Sequence, residues 1–360
     1  MNDQSQLSNA LQIIGKNEQL RQKLTDFCKE VEVLLSLPGQ SIRDVVTGPI
    51  IDALYQEAGI LHKELDNGVK FDFYYRSKIA RDIVMTKAEK PDHLWEPQTT
   101  KLLLHLSRDA KNVLVGGAYF GDHAILIARQ LTANGGICHA FEPNLDQPNM
   151  LRHNAELNNI RNIKSWPLGL WSNCSSRLQL VGDDSFAHPE IVHGGALDGL
   201  DEAGFQTVTI DAYVEQQGID GVDLIMLDIE GAEFDVLQGA RKQLEGLHGK
   251  LPNIVFEVHR HYVDWSNGLQ NTKIVKYLAS FGYHVYAVRD FNSNVEMKNQ
   301  PVEIIPVDDV YLEGPPHGFN MLAVKDESIL RSDFFRICHG VSPKLLLHKA
   351  ASLHQPAGGL

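Results

Sequence analysis

The chain has 360 residues, is 43% hydrophobic and 22% charged, and holds 29 glycines and 15 prolines. That is an ordinary globular composition, which excludes a collagen-like, coiled-coil or disordered chain. With 46 acidic against 33 basic side chains the formal charge is −13, so the broad basic footprint of a general nucleic-acid binder is missing. No window approaches the roughly 20 consecutive apolar residues of a membrane helix. The opening MNDQSQLSNALQIIGKNEQL has no apolar signal core, and Cys28, Cys138, Cys174 and Cys338 are far apart with no CxxC. These features together fit a cytoplasmic protein with free thiols that acts on neither nucleic acid nor membrane.

Residues 1–95 read as helical. Apolar spacing predicts a helix from Leu11 to Leu37 stopped by Pro38-Gly39, another from Val45 to Leu65 stopped by Asp66-Asn67-Gly68, and a third from Phe71 to Met85. In the third, Phe71, Tyr74, Tyr75, Ile79, Ile83 and Val84 share one face. Nothing here has catalytic spacing, so the region is expected to be a cap or an oligomerisation segment, with a homodimer through these helices as the expectation. From residue 99 apolar runs alternate with helical patterns, which predicts a parallel sheet built from βαβ units. The runs are Asn112–Gly116, Gly136–Phe141, Ile163–Leu168, Val222–Leu227, Asn253–Val258, Tyr283–Val288 and Phe319–Val324. They predict a seven-stranded, mostly parallel, doubly wound α/β domain over residues 96–325. Val181–Gln206 and Asn292–Pro316 read as surface loops or lids, and residues 326–360 as a helical tail.

The first run ends in Gly116-Gly117-Ala118-Tyr119-Phe120-Gly121 and leads straight into a helical pattern at His123. A glycine-rich turn of this kind lets a ligand approach the backbone and offers free N–H groups to it. Glu142, at the end of the second run, lies 21 residues beyond Gly121, the distance at which an acid accepts hydrogen bonds from the ribose hydroxyls of an adenosine ligand. The fourth run ends in Asp228-Ile229-Glu230-Gly231-Ala232-Glu233 and the fifth in Glu257-Val258-His259. Because strand ends face the ligand crevice of an open α/β sheet, Asp228, Glu230, Glu257 and His259 should meet there. They could act as general bases, as metal ligands or as a polar rim.

The string VDLIMLDIEGAEFDVLQGA (Val222–Ala240), with HAFEPN before it and NIVFEVH after it, resembles the FkbM family of S-adenosylmethionine-dependent methyltransferases. The lead-in Leu94–Thr100 is similar to that family as well, and the resemblance spans about residues 94–325. It implies a Rossmann-like methyltransferase fold with strand order 3-2-1-4-5-7-6. It also implies that Gly117, Tyr119 and Gly121 wrap the methionine part of the cofactor, that Glu142 holds its ribose and that Asp228 lies near the methyl group. Val115 stands where the family usually has an acid, so Glu96 and Asp122 become the nearest partners for the α-amino group. The GAYFG turn is also similar to the GAYxG turn of catechol-type O-methyltransferases, which hold a divalent metal at these two strand tips. Asp228 and Glu257 could mimic that pair, although Gly231 stands where those enzymes have a lysine, and a metal is not predicted. The expected activity is methylation of a hydroxylated small molecule, such as a sugar or secondary metabolite, with His259 as base assisted by Asp228 or Glu230. The alternatives are a non-catalytic protein that keeps the fold for binding or assembly and a nicotinamide-dependent oxidoreductase. The turn lacks GxGxxG spacing, and no Tyr-xxx-Lys pair follows a strand tip.

Overall fold

The computed structural model describes residues 3–35, 41–144, 146–182, 188–191, 204–246, 249–291, 295–312 and 318–345. The apolar runs pair into one nine-stranded sheet. Its strands in chain order are β1 Asn112–Gly116, β2 Ile137–Phe141, β3 Ile163–Trp166, β4 Leu224–Leu227, β5 Asn253–Val258, β6 His284–Val288, β7 Val302–Pro306, β8 Phe319–Val324 and β9 Phe335–Ile337. Across the sheet they run β9-β7-β6-β8-β5-β4-β1-β2-β3. Neighbours from β3 to β5 pair in parallel. β8 is antiparallel to both β5 and β6, and β7 is antiparallel to β6. β1 and β4 are wholly buried, as expected of strands covered by helices on both faces.

The sheet has two strands more than the seven expected. β7 lies inside Asn292–Pro316, where Pro301 and Pro306 bracket a short VEIIP run that reads as loop. β9 has three residues, too few to leave a periodic signal. Apolar clusters cover both faces: one around Ile225, Phe256, Met321 and Leu237, the other around Val115, Met226, Leu322 and Leu102.

The region before residue 96 is not helical throughout. Helices Asp3–Gly15, Glu18–Leu34, Gly48–Tyr55 and Lys78–Met85 and a π turn at Arg43–Thr47 are joined by a β-hairpin, Leu61–Glu64 with Lys70–Phe73. Asp66-Asn67-Gly68 is the hairpin's turn and not a helix stop, with Gly68 at φ +81°, the conformation for which glycine is favoured. Asn154 fastens the hairpin to the main domain. It accepts the Asp72 N–H at 2.8 Å and donates to the carbonyls of Asp72 and Phe120, each at 3.0 Å. Phe71 and Phe73 then pack on Phe120, Ile125 and Leu126. Arg43 binds Glu32 and Asp82, at 2.6 Å each, and so locks Glu18–Leu34 to Lys78–Met85.

The tail is also not helical over its described part, which holds a 3₁₀ turn at Glu327–Arg331, β9 and a short strand Lys344–Leu345 beside Asp290–Phe291; residues 346–360 lie outside the described residues. No helix among the described residues is long and apolar enough to cross a membrane.

Candidate active site

The carboxyl ends of β1, β2, β4 and β5 open on one side of the sheet, where the chain order reverses between β1 and β4. Open α/β sheets bind ligands at that switch point. The turn after β1 is held by N–H groups of Gly117 and Ala118, both donating to the Phe141 carbonyl at 3.0 Å. Gly117 has φ +76°, and a Cβ there would lie 1.7 Å from the Asp228 carbonyl oxygen, so the turn passes directly against the tip of β4. Tyr119 N–H donates to Glu142 Oε2 at 3.0 Å and Asn144 N–H to Oε1 at 2.9 Å. Glu142 therefore braces the turn.

A cleft of about 910 Å³ lies over this turn, lined by Gly117, Tyr119, Asp122, His123, Glu142, Asp228 and Glu230. Its apolar wall comes from Leu168, Leu170, Leu178, Leu180 and Phe205. Part of that wall is a small sheet, Gly169–Leu170, Phe205–Val208, Arg177–Val181 and His188–Ile191. Val181–Gln206 is thus partly β-structure; its residues 183–187 and 192–203 lie outside the described residues.

A second chamber of about 1020 Å³ adjoins the first and shares Ile79, Asp228 and Glu230 with it. Glu257, His259 and Gly318 line it from the sheet, Lys344 from the tail, and Arg43, Lys78, Arg81, Trp95 and Glu96 from the region before β1. The carboxylates at the junction are close: one oxygen each from Asp228, Glu230 and Glu257 lies within 4.8 Å of the others. Burial, with Glu96 and Glu230 nearby, pushes Asp228 well above the usual carboxylate range. Burial and the Asp228 charge do the same to Glu257. Burial with Glu233 and Glu96 raises Glu230 to about 7. Among the described residues Glu257 Oε2 has no hydrogen-bond partner. Gly318 makes room for this carboxyl, since a Cβ there would lie 1.9 Å from Glu257 Oε1. An all-oxygen set of this kind accepts a shared proton or a hard divalent cation.

The expected residues divide between the chambers. Gly117, Tyr119, Asp122 and Glu142 line the first, Glu96 and His259 the second, and Asp228 and Glu230 both. Gly121 shapes the turn at φ +97° and packs over Ile125 and Leu151 without lining either chamber. Val115 is fully buried in the sheet core. His259 Nδ1 accepts the His261 N–H at 3.2 Å, so the neutral ring carries its proton on Nε2 and presents a donor there. Glu96, Tyr119 and Glu230 have φ of 42°, 45° and 52°. Such left-handed backbone costs a non-glycine residue about 1–2 kcal/mol and gathers at functional sites.

Two participants carried no motif. His123 is 4% exposed and its Nδ1 meets Thr100 Oγ1 at 3.2 Å. Burial opposes its charge, but Asp122, Glu96 and Asp228 outweigh that and raise its pKa to about 9. Among the described residues its Nε2 has no hydrogen-bond partner, and it lies 3.6 Å from Glu96 Oε2. Lys344 is buried beside Glu96. Burial alone would raise the Glu96 carboxyl, yet His123, Lys344 and a 2.7 Å hydrogen bond from Asn320 bring it below its ordinary value. A histidine just after a glycine turn could have been flagged from sequence; nothing near Lys344 gave a signal.

The sheet order, the glycine turn on β1 and the acidic tips of β4 and β5 define an open α/β sheet with a ligand crevice at its switch point. Residues 116–285 match the family model described as the methyltransferase FkbM domain. Among solved structures it is similar to the methyltransferase FkbM from Methylobacillus flagellatus KT, at 14% identity over 60% of this chain and 44% of that one, with a TM-score of 0.35. The chain thus spans less than half of that protein's length. It is similar to the precorrin-6y C5,15-methyltransferase from Geobacter metallireducens GS-15 at 13% identity over 64% and 88%, with a TM-score of 0.35. A third likeness is to the O-methyltransferase from Bacillus cereus in complex with SAH, at 16% identity over 65% and 84%, with a TM-score of 0.31. Comparison with curated proteins gave no match.

Proposed function

We propose that the chain is an S-adenosylmethionine-dependent methyltransferase acting on a hydroxyl group of a small molecule, a sugar or secondary-metabolite scaffold. The observation that carries this reading is the junction of two chambers at Asp228 and Glu230: group transfer needs a donor site and an acceptor site with a common boundary. S-adenosylmethionine, when bound, supplies an electrophilic sulfonium methyl group.

The residues of the first chamber fit that cofactor. Glu142 suits the ribose, because it stands at the end of β2 beside the glycine turn, where an acid can accept from sugar hydroxyls. Leu170, Leu178 and Phe205 offer an apolar wall for the adenine. Gly117 and Tyr119 shape the floor. Asp122 lines this chamber and Glu96 does not, so Asp122 is the better placed acid for an α-amino group. On the acceptor side Glu230 suits the role of base, since a pKa of about 7 lies near the operating pH that general-base catalysis favours. His259 would donate from Nε2 to orient the acceptor oxygen, and Asp228 would hold the donor side of the junction.

The test is incubation with methyl-labelled S-adenosylmethionine and a panel of hydroxylated acceptors. We expect label in a methyl ether and a rate that rises with pH through about 7. Glu230→Gln should lose that limb and about 10²–10⁴-fold in rate. Label on nitrogen or carbon, or a pH limb unchanged in Glu230→Gln, would overturn the assignment.

A further inference from the structure

Helix Glu18–Leu34 carries more apolar surface than its own core covers. Thr25 and Cys28 are buried against Ile51, Leu54 and Tyr55, and Leu24 and Val31 are half-buried beside them. Next to these runs a stripe with seven-residue spacing, Leu20 at 48%, Phe27 at 57% and Leu34 at 79% exposed. Residues seven apart on a helix stack along one line that drifts by only about 20° per heptad. The opposite edge of the stripe is charged: Lys23 and Glu30 are exposed, and neither forms an ion pair among the described residues. The far face carries the polar Gln22, Asp26 and Lys29, with Val33 exposed at its C-terminal end. The apolar arc therefore ends at Lys23 and Glu30 and not at the boundary of the chain's own core.

We infer that a second copy of this chain covers the stripe, through an antiparallel helix pair whose two-fold axis passes beside Phe27. The pattern complements itself about that residue. Reversal places Leu20 opposite Leu34 of the second copy and Phe27 opposite Phe27. A two-fold axis of this kind keeps each flank on its own side, so Lys23 falls within one residue of the level of Glu30 of the second copy, twice per dimer. A parallel pair would instead set Lys23 and Glu30 against Leu24 and Val31, with no charge partner. Charge complementarity thus selects the antiparallel arrangement. The three exposed side chains offer only ~300 Å² per copy against the ~800 Å² per partner of a standard interface. The pairing is accordingly a reversible, concentration-dependent one. Arg43 links this helix to Lys78–Met85, whose Lys78 and Ile79 line the second chamber, so the pairing also braces the wall of that chamber.

Sedimentation velocity of the full chain across the micromolar range tests this. A monomer–dimer equilibrium is expected, shifted to monomer by Phe27→Asp with unchanged circular dichroism. Lys23→Glu should weaken dimerisation about tenfold or more, and the swap Lys23→Glu with Glu30→Lys should restore it. A wild-type chain that stays monomeric at the highest concentration overturns the inference. So does a dimer insensitive to Phe27→Asp, or a charge swap that fails to restore pairing.

Discussion

Replacing Glu233 by glutamine should stabilise the protein by an amount that grows as pH rises from 4.5 to about 7 and is level above that. Glu233 opens helix Glu233–Gln238 with 3% of its surface exposed. One carboxyl oxygen accepts the N–H groups of Ile229 at 3.1 Å and Gly231 at 3.3 Å. Those bonds and the helix N-terminus favour the anion, but burial outweighs them and raises the pKa from 4.5 to about 7. A group whose folded pKa is raised contributes full stability below its unfolded value and loses it as pH climbs through the folded one. The gap between 4.5 and about 7 corresponds to ~3 kcal/mol. Spread over 360 residues, at ~2.1 cal/mol/K of unfolding entropy each, that is ~4 °C in Tm. Glu233→Gln keeps an oxygen for both N–H groups and removes the ionisation. Thermal unfolding followed at about pH 5 and about pH 8.5 should give similar Tm values for the two proteins in acid. At the higher pH the variant should be more stable by about the amount above. An equal loss in both proteins on raising the pH would mean that Glu233 is solvated, and the strain assigned to the acidic junction would fall with it.

Gly117→Ala should cost about 1–2 kcal/mol through its left-handed backbone alone. The Cβ also meets the Asp228 carbonyl at 1.7 Å, so adenosyl-ligand binding should vanish while the circular dichroism persists; retained binding would separate the turn from the cofactor site. Asp228→Asn should weaken S-adenosylmethionine more than S-adenosylhomocysteine, because only the former carries a sulfonium charge able to draw this carboxyl to its ionised form against the burial that raises its pKa. Equal weakening, read by calorimetry, would remove Asp228 from the donor side of the junction. Arg43→Met leaves Glu32 and Asp82 facing each other without their cation and should cost ~3–5 kcal/mol, seen as early loss of the region before residue 96 in urea unfolding. A single unchanged transition would show that this bridge holds nothing together.

The chemistry of the sheet tips was readable because it is local. β1 and its glycine turn, β2 with Glu142, and β4 with Asp228-Ile229-Glu230 each place strand, turn and acid within a few consecutive residues. What escaped depends on long-range neighbours. Glu96 and Asp122 look alike in sequence, yet one faces the second chamber and the other the first. His259 stands at the tip of β5, but the hydrogen bond its Nδ1 accepts from the His261 N–H at 3.2 Å leaves no mark in the strand pattern. Lys344 reaches the site only because Lys344–Leu345 pairs beside Asp290–Phe291. The hairpin at Leu61–Phe73 was hidden because helical apolar spacing ran through it, and tertiary packing on Phe120 and Ile125 overrode that local preference.

Calorimetric titration of the wild-type chain and of Glu142→Ala with S-adenosylhomocysteine tests the two-chamber account most directly. The account expects micromolar binding by the wild type. It expects at least ~10-fold weaker binding by the variant, which loses hydrogen bonds to a charged group worth ~1.5–3 kcal/mol. Absence of heat with the wild type, or equal affinity in a folded Glu142→Ala chain, would contradict it.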